Sequence, residues 1–242
     1  MSISQITTTA YRQHKIIVKI LTISQILAVL FLFSTTAFSQ QADSRFRLGA
    51  SFSADLTDRL SAGIGIEQRQ RDNFHQFDKL LIEPEIKYAI TEKHSLTATY
   101  RGWGWYEEGE TGFSQWLGFG YSYNFRKNDW RIKFSSSTQY DLPEGAEAVN
   151  WAEQFIWRNK LGVKYSIFGS RFTPELRAEV FTAFDRNPLY IKQIRASLLV
   201  DYRITKTSSI EAYLLFSNEI NTEEPQDAII YGLCFSKSLS LR

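Results

Sequence analysis

Nine charged side chains define the chemistry this chain can offer: Arg131, Lys133, Arg158, Lys160 and Lys164 form a cationic series, and Glu175, Arg177, Glu179 and Arg195 follow with both signs mixed. Successive members of three short runs, Arg131 and Lys133, then Arg158, Lys160 and Lys164, then Glu175, Arg177 and Glu179, are separated by two residues or four, so on an extended chain each run projects to one side. Charges gathered in this way can neutralise one another, draw anions along a cationic ladder, or act as acid and base. The carboxylate pairs Glu83 with Glu85 and Glu175 with Glu179 are donors suited to proton transfer or to Ca²⁺, but their Arg and Lys neighbours make neutralisation the simpler use. His75 and His94 are the histidines outside the N-terminal segment, and neither lies in a nucleophile-elbow motif, so a lipid-modifying Ser-His-acid site on His75 rests on no pattern. Cys234 is the only cysteine, which excludes an intramolecular disulfide and a thiolate metal cluster. Gly118 and Gly120 precede no helix and so make no phosphate loop. The expectation is no catalytic residue, no cofactor and no metal.

Aromatic residues form the second candidate group. Phe74, Phe77, Trp103, Trp105, Trp116 and Trp151 fall in or beside long polar breaks, where they could make a loop platform for a glycan or a lipid headgroup.

Period-two alternation must position both groups. From Phe46 the chain alternates Phe46, Leu48, Ala50, Phe52 and Ala54 against Arg47, Gly49, Ser51, Ser53 and Asp55; after Thr57-Asp58-Arg59 it resumes with Leu60, Ala62, Ile64 and Ile66. That is a β-hairpin with one apolar and one polar face. The unit recurs, and its breaks repeat: Leu56-Thr57-Asp58-Arg59, Ile90-Thr91-Glu92-Lys93 and Ile204-Thr205-Lys206-Thr207 are one short turn written three times. Longer breaks alternate with these, at 69–78, 106–112, 142–151, 185–190 and 221–226. Short turns on one rim and long loops on the other, with aromatics such as Tyr88, Trp130, Tyr165, Phe172 and Tyr202 beside the short turns, are the expected pattern of an outer-membrane barrel.

The fold expected is therefore all-β, a transmembrane antiparallel up-and-down barrel of about 10–12 strands. Eleven strand candidates can be counted. An even number is expected, twelve in preference to ten, with residues 40–44 or a long loop supplying the twelfth. Pro84 cannot donate to a ladder and should disturb pairing without ending its strand.

The N-terminus differs in composition. Arg12, Lys15 and Lys19 precede the apolar run 20–33, and Ala37-Phe38-Ser39 offers small residues at a cleavage site. Residues 1–39 read as a cleaved signal peptide and 40–242 as the barrel. The formal charge of +2 for the whole chain becomes slightly negative once those three cations leave, so the balance gives no reason to expect nucleic acid.

The stretches Glu67-Gln68-Arg69-Gln70-Arg71, Thr173 through Phe181, Arg195, Tyr202-Arg203-Ile204-Thr205 and Tyr231-Gly232-Leu233 together resemble the domain-of-unknown-function 2490 family of Gram-negative outer-membrane β-barrels. The resemblance implies a barrel in the cell outer membrane and transfers no catalytic residue. The expected role is structural or small-solute traffic, with outer-membrane lipids and the barrel-assembly machinery as partners and a monomeric state. An aromatic surface-binding barrel is the alternative.

Overall fold

The computed structural model describes residues 42–107, 110–142, 155–184, 189–221 and 225–240. The expected signal peptide lies outside them, as do Trp151 and most of the break at 142–151. Among the described residues eleven strands follow one another: β1 (Asp43–Asp55), β2 (Leu60–Arg71), β3 (Gln76–Ala89), β4 (His94–Glu107), β5 (Glu110–Lys127), β6 (Trp130–Leu142), β7 (Phe155–Tyr165), β8 (Phe172–Ala183), β9 (Tyr190–Arg203), β10 (Ser208–Glu219) and β11 (Asp227–Ser240). Each pairs antiparallel with its sequence neighbour, and β1 closes the barrel on β11.

The closing pair corrects the expectation of twelve strands. β1 and β11 run parallel, in unbroken register from Asp43 opposite Ala228 to Asp55 opposite Ser240. A parallel seam accommodates an odd number of strands, and it leaves the start of β1 on the long-loop rim and the end of β11 on the short-turn rim. Asp43 and Ser44 are the first residues of β1 itself, not a separate strand. With strands of 11 to 18 residues, each is long enough to cross a hydrocarbon layer at a tilt, which needs about 9–11.

The recurring turn has one construction. The backbone N–H groups of Leu56 and Thr57 both donate to the Leu60 carbonyl; Ile90 and Thr91 do the same to His94, and Ile204 and Thr205 to Ser208. The threonine oxygen then accepts from the turn backbone, as in the 2.9 Å bond from Leu60 N–H to Thr57. Thr91 accepts from His94 N–H and Thr205 from Thr207 N–H in the same manner.

Two breaks are shorter than the sequence suggests. β2 continues to Arg71 and β3 starts at Gln76, because Asp72 and Asn73 adopt the left-handed backbone that lets four residues reverse the chain. Phe74 shares that backbone, with φ 72°, and is held across the seam by edge-on packing against Tyr231 and Phe46. At the second break β4 and β5 run on to Glu107 and from Glu110. Pro84 keeps its place opposite Ile64, but the β3–β4 register is interrupted between Ile82 and Glu85.

The apolar side of the alternation faces out. Phe119 is 65 % exposed, and Leu48, Ile64, Ile82, Ile86, Leu161 and Leu233 are exposed with it. A contiguous oily exterior on this scale would drive association in water and suits hydrocarbon. Polar groups on that side are matched: Trp157 N–H donates to Ser136 at 2.8 Å, and Tyr100 hydroxyl donates to Gln115 at 2.8 Å.

Candidate functional site

Cross-strand register decides what shares the lumen. Arg131 lies opposite Lys164, Lys164 opposite Glu175, Lys160 opposite Glu179, and Glu179 opposite Arg195. Residues directly opposite in a ladder project to the same face. Lys133 opposite Gly162, Gly162 opposite Arg177, and Arg158 opposite Phe181 belong to the same side. All nine charged candidates therefore line the lumen, carried by β6, β7, β8 and β9.

Their pairing is uneven. Glu175, nearly buried, takes Lys164 at 2.9 Å and Arg177 at 3.1 Å, and Arg177 reaches on to Glu211 at 3.9 Å. Gly162 makes room for this cluster: a methyl group there would stand 2.7 Å from a Glu175 oxygen. Arg158 binds Glu179 at 2.7 Å. On the opposite wall Arg69 binds Glu67 at 2.6 Å, and Arg101 binds Glu83 while lying 5.0 Å over the Trp116 ring. Among the described residues Lys133, Lys160 and Arg195 have no carboxylate within ion-pair distance, although Lys133 and Lys160 share a hollow of about 100 Å³ with the Glu175 cluster.

Along its axis the lumen changes character. In the half nearer the long loops inward side chains are packed against one another: Leu81, Phe181, Leu215, Ala228 and Ile230 are buried although they face the barrel interior. Phe181 is held between two guanidinium groups, Arg195 at 4.5 Å and Arg158 at 5.2 Å from its ring centre. Tyr213 lies over Gly232, where any side chain would overlap its ring. Towards the short turns the lumen opens instead into a cup of about 440 Å³.

The family model for a protein of unknown function, DUF2490, matches residues 46–227, nearly the whole barrel. The chain belongs to that family. No curated protein matches this DUF2490 chain. Among solved structures it is similar to the β-domain of the Bordetella autotransporter BrkA, at 11 % identity over 70 % of this chain and 78 % of that one, with a TM-score of 0.40.

The aromatic candidates of this DUF2490 barrel divide differently from the expectation. Trp103 lies opposite Leu81 and Trp105 opposite Lys79, both on the lumen side of β4, and Trp116 is buried in the lumen on β5. They are strand residues, not loop residues, because β4 runs on to Glu107 and β5 starts at Glu110, inside the break expected at 106–112. Phe74 and Phe77 are exposed at the β2–β3 turn. Trp151 lies outside the described residues. A platform of all six is not assembled by the five that are described. His75 sits in the β2–β3 turn with its Nδ1 3.2 Å from the Asp72 carbonyl oxygen, while His94 begins β4 on the other rim beside Tyr121. Sequence reasoning missed Phe181, Tyr213 and the basic cup. Alternation alone carried the signal for Phe181, an aromatic on the same side as Glu179 and Arg177.

Proposed function

We propose that this chain is an outer-membrane barrel serving the passage of small solutes, with anions favoured and flow restricted at one layer of the lumen. The oily exterior supports the membrane setting, and the cationic series on β6 and β7 supports the preference in charge. The restriction is Phe181 between Arg158 and Arg195, and this is the observation that carries the reading. Both guanidinium Nε atoms are buried without a partner, an arrangement that costs stability and that simple filling of space does not require. The short turns face the periplasm in this reading and the long loops face out. Its surroundings are outer-membrane lipids and the assembly machinery, it acts as a monomer, and it performs no catalysis.

Planar-bilayer recording tests the reading. The wild-type barrel should conduct weakly, and Phe181→Ala should raise conductance by about twofold or more, with a reversal potential favouring chloride in a KCl gradient. Neutralising Arg158 and Lys160 in that background should abolish the selectivity. A Phe181→Ala barrel that stays folded and conducts no better than wild type, or that prefers potassium, overturns it.

A further inference from the structure

The cup at the short-turn end has an unusual lining. Arg126, Arg131, Lys164, Arg203, Lys206 and Lys237 reach it, with Asp201 the only carboxylate and eleven Ser and Thr residues among the remainder. Three of those cations stand in one cross-strand row: Arg126 is opposite Arg131, and Arg131 is opposite Lys164. Like charges directly opposite in a ladder repel, and the carboxylate nearest the row, Glu175, is already shared between Lys164 and Arg177. Among the described residues Arg126 and Arg131 form no ion pair that would relieve the row. Among the described residues the Arg203 guanidinium donates to the Ser170 carbonyl oxygen, at 3.4 Å, and forms no ion pair.

We propose that the cup is a binding site for a soluble, multiply charged oxyanion of the phosphate class, such as a pyrophosphate or a phosphorylated small solute. Guanidinium and ammonium groups supply charge, and a ring of hydroxyl donors supplies hydrogen bonds to several oxygens at once. The volume holds a small metabolite and not merely a chloride ion. Ile167 is the one apolar residue in the lining, and no aromatic face is present, so recognition falls on the anionic group and not on an attached ring. A lipid headgroup is the poorer fit, because the cup opens along the barrel axis whereas lipid meets the outer wall. Deeper in, Lys164 also lines the hollow of Lys133, Lys160, Glu175 and Arg177, where cations outnumber the one carboxylate, so positive charge continues inward from the cup. The site deepens the small-solute reading but does not need current to flow.

The test uses the mature barrel in detergent micelles and inorganic pyrophosphate as the probe, titrated calorimetrically at constant ionic strength. Saturable one-to-one binding is expected. Combined Arg131→Gln, Arg203→Gln and Lys206→Gln should weaken it by about tenfold or more, whereas Arg59→Gln with Lys93→Gln, cations of the same rim outside the cup, should leave it unchanged. Asp201→Asn removes the one opposing charge and should tighten binding severalfold; it keeps the site testable if the triple variant does not fold. Absence of saturation, equal losses in the cup and rim variants, or no gain in Asp201→Asn overturns the site. Vesicles of phosphatidic acid should not compete with pyrophosphate; if they do, the ligand is a headgroup and the soluble-solute assignment fails. Binding without conductance overturns only the passage reading, and conductance without binding overturns only the site.

Discussion

Glu175→Gln keeps the shape of the side chain and removes one negative charge from the short-turn half of the lumen. Two cations touch that carboxylate, Lys164 at 2.9 Å and Arg177 at 3.1 Å. At an effective dielectric of about 20 each contact has a gross Coulomb energy of about 5 kcal/mol, most of it offset by the cost of desolvation. Breaking a fully buried pair by removing one partner costs about 3–5 kcal/mol. Here the carboxylate side chain is 6 % exposed but Lys164 is 33 % and Arg177 24 %, so water recovers part of the loss and the figure falls to about 2–3 kcal/mol. Arg177 also retains Glu211 at 3.9 Å, which holds the value towards the lower end. The assay is urea unfolding of the barrel in phosphatidylcholine vesicles, followed by tryptophan fluorescence. Adding Lys164→Met should cost little further, giving a coupling of about 1–2 kcal/mol in the double-mutant cycle. A Glu175→Gln barrel within about 0.5 kcal/mol of wild type, or strictly additive effects, would show that the cluster is solvated and does not brace the wall.

Two further outcomes test the exterior and the packed layer. Phe119→Arg, midway along β5 on the most exposed part of the oily face, should cost about 2–4 kcal/mol in a bilayer; in a water-soluble sheet the same exposed substitution would be close to neutral, so vesicle unfolding separates the two settings. Gly232→Ala must push the Tyr213 ring aside and should cost about 1–3 kcal/mol by the same measurement, while Tyr213→Leu in that background should recover stability.

What could be read from the chain follows from which signals are local. Alternation at Phe46 to Asp55 and the thrice-written turn each lie within one short segment, and together they specify strands, a two-faced sheet and the placing of Arg131 through Arg195 on the polar side. Strand number was not local in this sense. An even count assumes that every seam is antiparallel, and the seam between β1 and β11 depends on two segments 185 residues apart. The tryptophans misled for a related reason. Tyr106 to Gly112 is rich in Glu and Gly and reads as a loop, yet the chain continues as strand to Glu107 and from Glu110, which turns Trp103, Trp105 and Trp116 into inward wall residues. Phe181 was hidden by its type, since an aromatic in a membrane strand is normally assigned to lipid. Only its parity with Glu179 marked it as inward, and only the fold brings Arg158 from β7 and Arg195 from β9 to its ring.

The two ends of the lumen stand in different energetic balance. In the long-loop half most cations are compensated nearby: Arg69 has Glu67, Arg101 has Glu83 and Trp116, and Arg158 has Glu179. Side chains there are packed to low exposure, as expected where a small barrel fills its own interior. A wall designed only for rigidity would continue that pairing to the other rim. Instead Arg126, Arg131 and Lys164 are placed side by side in the short-turn half, and the cup around them is lined with hydroxyls in place of carboxylates. Repulsion held in an open, hydrated cup is inexpensive while the cup is empty and is relieved when an anion enters. The same row placed behind the Phe181 layer, away from water, would be far more costly. The position of the cationic row thus follows from the position of the packed layer, and reversing them would destabilise the barrel without improving its hold on any anion.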